Sequence, residues 1–158
     1  MIVTSSDEHA VLQVEEWRDL DILVTLDSGC CEHILDAEEV PGYGNHIQES
    51  PGSRRGQTFT VGNGAEVPNE GQVRVNLAAP AGQGSTMITS DFQVAKITRP
   101  LMSVSKVCEQ GYSCLFTREG AQILDVEGKS VSDFQRVNGL YVATMKLKPP
   151  EPFRRPAT

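Results

Sequence analysis

Long apolar runs are missing from this chain. No stretch approaches the ~20 consecutive apolar residues needed to cross a bilayer, so a membrane partner is not expected. Residues 1–26 are acidic where a secretory leader would be basic and then apolar. A reducing, cytoplasmic setting is the expectation. Cations are also scarce: 14 Lys and Arg stand against 21 Asp and Glu, for a net charge of -7. Such a field repels phosphate backbones, which argues against nucleic-acid binding. The four cysteines, Cys30, Cys31, Cys108 and Cys114, form no C-x-x-C pair and lack the even spacing of a secreted disulfide scaffold. Free thiols are the expected state. Internal repeats and low-complexity tracts are absent as well.

What remains is 158 residues, 39% hydrophobic and 22% charged, enough for one soluble domain with its own core. Glycines and prolines punctuate short apolar runs, the pattern of a mainly β chain. Strands are expected at Val11–Val14, Leu20–Leu26, Phe59–Val61, Gln72–Leu77, Met87–Ile97 (one or two), Tyr112–Thr117, Ala121–Val126 and Leu140–Leu147. GNGAEVPNEG, between the third and fourth of these, has the turn chemistry of a long, exposed and movable hairpin. Pro41 to Gly56, with four glycines and two prolines, reads as a long mobile loop. One short helix is expected at Ser103–Gln110, capped by Ser103 and ended by Gly111. The divisions are an N-terminal extension with the first strand over 1–19, one domain over 20–147, and a Pro-rich linker or tail over 148–158.

The most informative tripeptide is Asp27-Ser28-Gly29 at the end of the apolar strand LDILVTL. Hydrolysis by paired aspartates needs a carboxylate held rigidly at a strand terminus, a serine hydroxyl to brace the loop, and a glycine that permits close approach. The same tripeptide is also an ordinary strand-to-turn motif, since all three residues favour turns.

Its company is more specific. LDSGCCEHI, then TVGNG and NEG, then RPLMSVSKVCEQGYSCLFTREGAQIL, and finally NGLYVATMKL resemble, in that order, the protease region of Copia-type retrotransposon polyproteins. The resemblance runs from about Leu20 to Leu147, and LMSVSKVCEQGY followed by LFTREG is its strongest piece. It implies an all-β, retropepsin-like closed barrel with one short helix, acting as an aspartic endopeptidase on its own polyprotein. Asp27 would match the catalytic aspartate, with Ser28 and Gly29 as its supporting loop. Gly62 to Gly71 would match the substrate-gripping flap, with Gly62, Asn63, Gly64 and Gly71 as its residues, although the usual paired glycines appear only as Glu70-Gly71. Leu101 to Val107 would back the active-site loop. His33 matches a family position whose role the sequence does not reveal.

Aspartic proteolysis needs two carboxylates that share one proton, one activating water and the other polarising the scissile carbonyl. This chain has one such tripeptide, so the second must come from an identical chain across a two-fold axis. A homodimer is therefore expected, taking an extended peptide, favouring mildly acidic solution, and requiring no metal or organic cofactor. Other readings stay open. Cys30 or Cys31 with His33 could be a thiol nucleophile and base, but catalytic pairs of that kind usually converge from distant segments. His9, His33, His46 and Cys31 match no closed zinc spacing. Asp36, Glu38 and Glu39 read as a solvated acidic face, with a short helix as one form it could take, and Arg54-Arg55 and Arg154-Arg155 as solvated basic pairs. A retropepsin-fold module without activity, serving dimerisation or interaction, is the rival of a different class.

Overall fold

The computed structural model describes residues 2–4 and 20–150, so the expected strand at Val11–Val14, with His9 and Arg154-Arg155, lies outside the described residues. The chain is mostly β, with one large sheet. No helix among the described residues is long and apolar enough to cross a membrane.

The backbone of the sheet is a hairpin of β6 (Gly71–Ala81) and β7 (Gly84–Val94), paired from Gly71↔Val94 to Ala81↔Gly84. Alternate residues on these strands point inward: Val73, Val75, Leu77 and Ala79 meet Ile88, Phe92 and Val94, all at 2% exposure or less. Each large side chain so buried contributes about 1.5–3 kcal/mol. β2 (Leu20–Asp27) adds Ile22, Val24 and Leu26 to the same core while Leu23 faces out.

Neighbouring strands extend the sheet. β7 also pairs with β1 (Ile2–Thr4) and, in parallel, with β3 (Ile34–Leu35). β3 meets β8 (Leu101–Ser103), and β8 runs parallel to β2. β2 pairs antiparallel with β12 (Leu140–Leu147), and β12 returns to β6 through Lys146↔Ala78 and Leu147↔Leu77. Beyond β12 follow β11 (Ser130–Val137), β10 (Gly120–Leu124) and the edge strand β9 (Ser113–Phe116). A separate two-stranded hairpin joins β4 (Thr58–Thr60) and β5 (Glu66–Pro68).

Several expectations need correction. Phe59–Val61 was expected to pair with Gln72–Leu77, but β4 pairs with β5, and β6 continues to a turn at Gly82 that leads into β7. Gly71 therefore lies outside the β4–β5 hairpin and opens β6. Pro41 to Gly56 is not an unstructured loop. Tyr43, fully buried, donates its hydroxyl to the Lys148 carbonyl and accepts the Asn76 N–H at 3.2 Å. Gln48 bridges Gln72, and a second short helix, α1 (Pro51–Arg54), starts in a reciprocal capping box between Ser50 and Ser53. The expected helix is α2 (Val104–Glu109), capped by Ser103. Just past the last strand, the Lys148 N–H bonds Asn76 O at 2.9 Å, and the Asn76 amide bonds Pro149 O at 3.0 Å.

Candidate active site

Asp27 is the last residue of β2, where three buried apolar residues give way to Ser28 and Gly29. Its carboxylate accepts the Gly29 N–H at 2.7 Å, the local bond that turns the strand into a loop. A Cβ on Gly29 would sit 3.3 Å from the same carboxylate oxygen, so a side chain there would crowd the acid. Asp27 is half-buried, whereas Ser28 and Gly29 are exposed.

The loop is fixed from beneath by Ser103, which lies opposite Asp27 in the parallel pair of β2 and β8. Its hydroxyl donates to the Cys30 carbonyl at 2.6 Å and accepts the Lys106 N–H at 3.1 Å, and its own N–H donates to His33 Nδ1 at 2.9 Å. Upstream, the Thr25 N–H bonds Pro100 O at 3.0 Å.

Asp27, Gly29, Cys30 and Cys31 form one wall of a cleft of about 690 Å³. The β4–β5 hairpin, through Thr58 to Asn63, forms another, and Lys96 to Arg99 with Leu101 completes it. The hairpin is moored at its base and free at its tip. Phe59 packs with Ile34 and Ala95 in a small apolar cluster that also takes in Cys30, Val67 and Ile97. Buried Asn69 bonds the side chains of Gln57 at 3.0 Å and Gln93 at 2.8 Å. Gly62, Asn63 and Gly64 at the turn are exposed, with Asn63 bonding the Ala65 N–H at 2.9 Å. Gly62 and Asn63 thus share the cleft with Asp27, while Gly71 lies elsewhere, its backbone against Gln48.

Cys30 and His33 each bond a backbone group of another residue rather than one another. Cys30 donates to the Glu32 carbonyl at 2.9 Å, and its thiol is pushed up, chiefly by burial and further by the Asp27 charge. His33, 5% exposed, spends Nδ1 on Ser103, and burial foremost, with Lys106 nearby, lowers it to about 4. With its Nδ1 lone pair taken by the Ser103 N–H and its basicity lowered, the ring is poorly suited to deprotonate either thiol. Among the described residues, no group of three or more His, Cys, Asp or Glu is placed to hold a metal ion. His33 lies against Phe92 and His46 against Tyr43. Asp36 caps the short turn Ala37–Glu39, and Arg54 pairs with Glu49 at 3.2 Å.

Sequence reasoning had Ser103 only as a helix cap and missed its bonds to Cys30 and His33, which no local pattern announces. It also missed the Lys96 to Arg99 wall. Compared with family models, curated proteins and solved structures, the chain matches none.

Proposed function

We propose that the chain is an aspartic endopeptidase of the retropepsin type, half of a two-fold homodimer that hydrolyses an extended peptide, foremost its own polyprotein. One observation carries the reading: a single carboxylate, Asp27, stands at the end of a core strand, on a loop held by Ser103, in a cleft that a small hairpin borders. The strand pairings β7–β3–β8–β2–β12–β6–β7 return to their start, which supports a closed barrel. The exposed Ser28-Gly29 backbone lets a second copy approach without a Cβ at Gly29.

In the dimer the two Asp27 carboxylates share one proton. The ionised one takes a proton from water as its oxygen attacks the scissile carbonyl, and the protonated one donates to the developing oxyanion. The amine then leaves with a proton returned from the dyad. The hairpin tip at Gly62, Asn63 and Gly64 closes on the peptide by strand addition and excludes water.

The test is self-processing of a longer precursor, read beside sedimentation of the isolated chain. Wild type is cleaved, Asp27→Asn is not, a pepstatin-type inhibitor blocks cleavage, and the chain dimerises at high concentration. Equal cleavage of wild-type and Asp27→Asn precursors, or a strict monomer throughout, overturns the proposal.

A further inference from the structure

We propose that His33 is a positioning residue for Asp27, its neutral ring locking the segment from Ser28 to Glu32 onto Ser103. The part concerning catalysis rests on the aspartic-protease reading above. The locking itself does not.

The segment leaves the sheet at Asp27 and returns just after His33, at Ile34, and Ser103 meets it at three points. Asp27 is opposite Ser103 in the sheet register, the Cys30 carbonyl accepts the Ser103 hydroxyl at 2.6 Å, and His33 Nδ1 accepts the Ser103 N–H at 2.9 Å. His33 is held through both its backbone and its ring. Its carbonyl accepts the Gln93 N–H at 2.7 Å, and its ring lies 5.4 Å from that of Phe92, at a 41° tilt. A backbone N–H can only donate, so Nδ1 must be bare and the ring's proton must sit on Nε2. Only one tautomer of the neutral ring serves.

The acceptor vanishes if the ring takes a second proton, because Nδ1–H would then face N–H. The neighbours oppose that event. Lys106 from α2 approaches on one side and pairs with Glu32 at 3.6 Å, while Asp91 from β7 pairs with Arg74 from β6 at 2.9 Å. These four line the polar cleft of about 340 Å³ that His33 borders. Burial foremost, with the Lys106 cation among the charges that add to it, disfavours the imidazolium, Asp91 favours it, and the balance holds His33 at about 4. His33 therefore remains an acceptor through the mildly acidic range in which a shared-proton dyad works. Asparagine places an amide oxygen near the position of Nδ1 and keeps the acceptor at every pH, whereas leucine removes it.

The experiment uses the full chain with Asp27→Asn, which stops self-cleavage and removes the aspartate's own titration. In that background, amide resonances of Ser28 to Glu32 should follow the His33 ring titration, a component that disappears when His33→Asn is added. The Ser103 amide should stay protected from hydrogen exchange with His33→Asn and exchange at least about tenfold faster with His33→Leu. With Asp27 restored, His33→Leu should lower kcat for precursor-derived peptide about tenfold or more with a smaller change in KM. His33→Asn should restore kcat and extend activity to lower pH than wild type. Loop resonances that titrate identically with histidine and asparagine at 33 overturn the proposal, even if His33→Leu fails to fold. Loop coupling without any cleavage supports the lock and defeats the protease reading, and cleavage without loop coupling does the reverse.

Discussion

Gly71 offers a sharp measurement because its two possible placements predict opposite phenotypes. It opens β6 at φ +134, and a Cβ there would lie 2.4 Å from the Gln48 carbonyl oxygen. That oxygen is backbone, held by the reciprocal Gln48–Gln72 bonds at 2.9 and 2.8 Å, so it cannot rotate aside. A side chain in this glycine-only region costs about 1–3 kcal/mol, and forcing a methyl into a packed site costs about 1–3 kcal/mol more. Gly71→Ala should therefore lower the unfolding free energy by about 2–6 kcal/mol, against a whole-domain stability on the order of 5–15 kcal/mol. Gly64→Ala is the control. Its φ is +84 with nothing within 4 Å of the new methyl, so only a local cost of about 1–2 kcal/mol at the hairpin tip is expected. Urea unfolding followed by circular dichroism reads both. Equal midpoints for the two variants, with Gly71→Ala changing only peptide cleavage, would return Gly71 to the flap and refute the reasoning.

Tyr43→Phe removes the hydroxyl that accepts the buried Asn76 N–H and should cost about 1–3 kcal/mol for that donor, read as a lower urea midpoint. Burial raises the Asp133 carboxyl, but the Ser130 hydroxyl, the Gly82 N–H and the Gln122 amide outweigh it and hold the carboxyl below its ordinary value. Its stabilisation is therefore present above the unfolded carboxylate pKa and lost as pH falls through the folded one. Asp133→Asn should destabilise at pH 7 and converge on wild type in acid, and a gap that persists in acid unfolding curves would count against this. Among the thiols, exposed Cys31 and Cys108 should alkylate before Cys114, which burial first and Cys108 next push up to about 12. Cys31→Ser should preserve cleavage, and its loss in a peptide assay would revive the thiol-nucleophile reading.

The strands legible in the sequence were those whose apolar residues cluster or alternate over a long enough run. Leu140–Leu147 was found to the residue, and Leu20–Asp27 within one, because each sets several apolar side chains against the core. β11 escaped because only Val131 and Phe134 among its apolar residues are buried, with Ser132, Asp133, Gln135 and Arg136 breaking the pattern. Pro41 to Gly56 misled for the opposite reason. Its glycines and prolines signal turns correctly, but turn chemistry is silent on whether a segment is moored, and the mooring comes from Tyr43, far from Asn76 and Lys148 in sequence. Asp27 was legible because its strand, acid and turn are contiguous. Its support was not, because Ser103 reaches Asp27 through the parallel β2–β8 pair and His33 beside the antiparallel β3–β8 pair, all strands distant in sequence.

That division bears on how the proposed dimer would form. The main chain around Asp27 is held within one chain, by Ser103 below and by Gly29 beside the carboxylate, while Ser28 and Gly29 remain exposed. Ordering a loop on association costs about 0.5–1.5 kcal/mol for each immobilised side chain, and here the ordering occurs on folding instead. Two such chains would meet with their acids already aimed, so the free energy of contact goes into association rather than into shaping the site. Weakening the hold from behind, as His33→Leu does, should therefore lower both dimer affinity and kcat. A change confined to the exposed rim, such as Ser28→Ala, should act on dimer affinity with the Ser103 amide still protected. Sedimentation and hydrogen exchange on the same two variants separate these effects, and loss of Ser103 protection in Ser28→Ala would mean that the loop is not ordered until the second chain arrives.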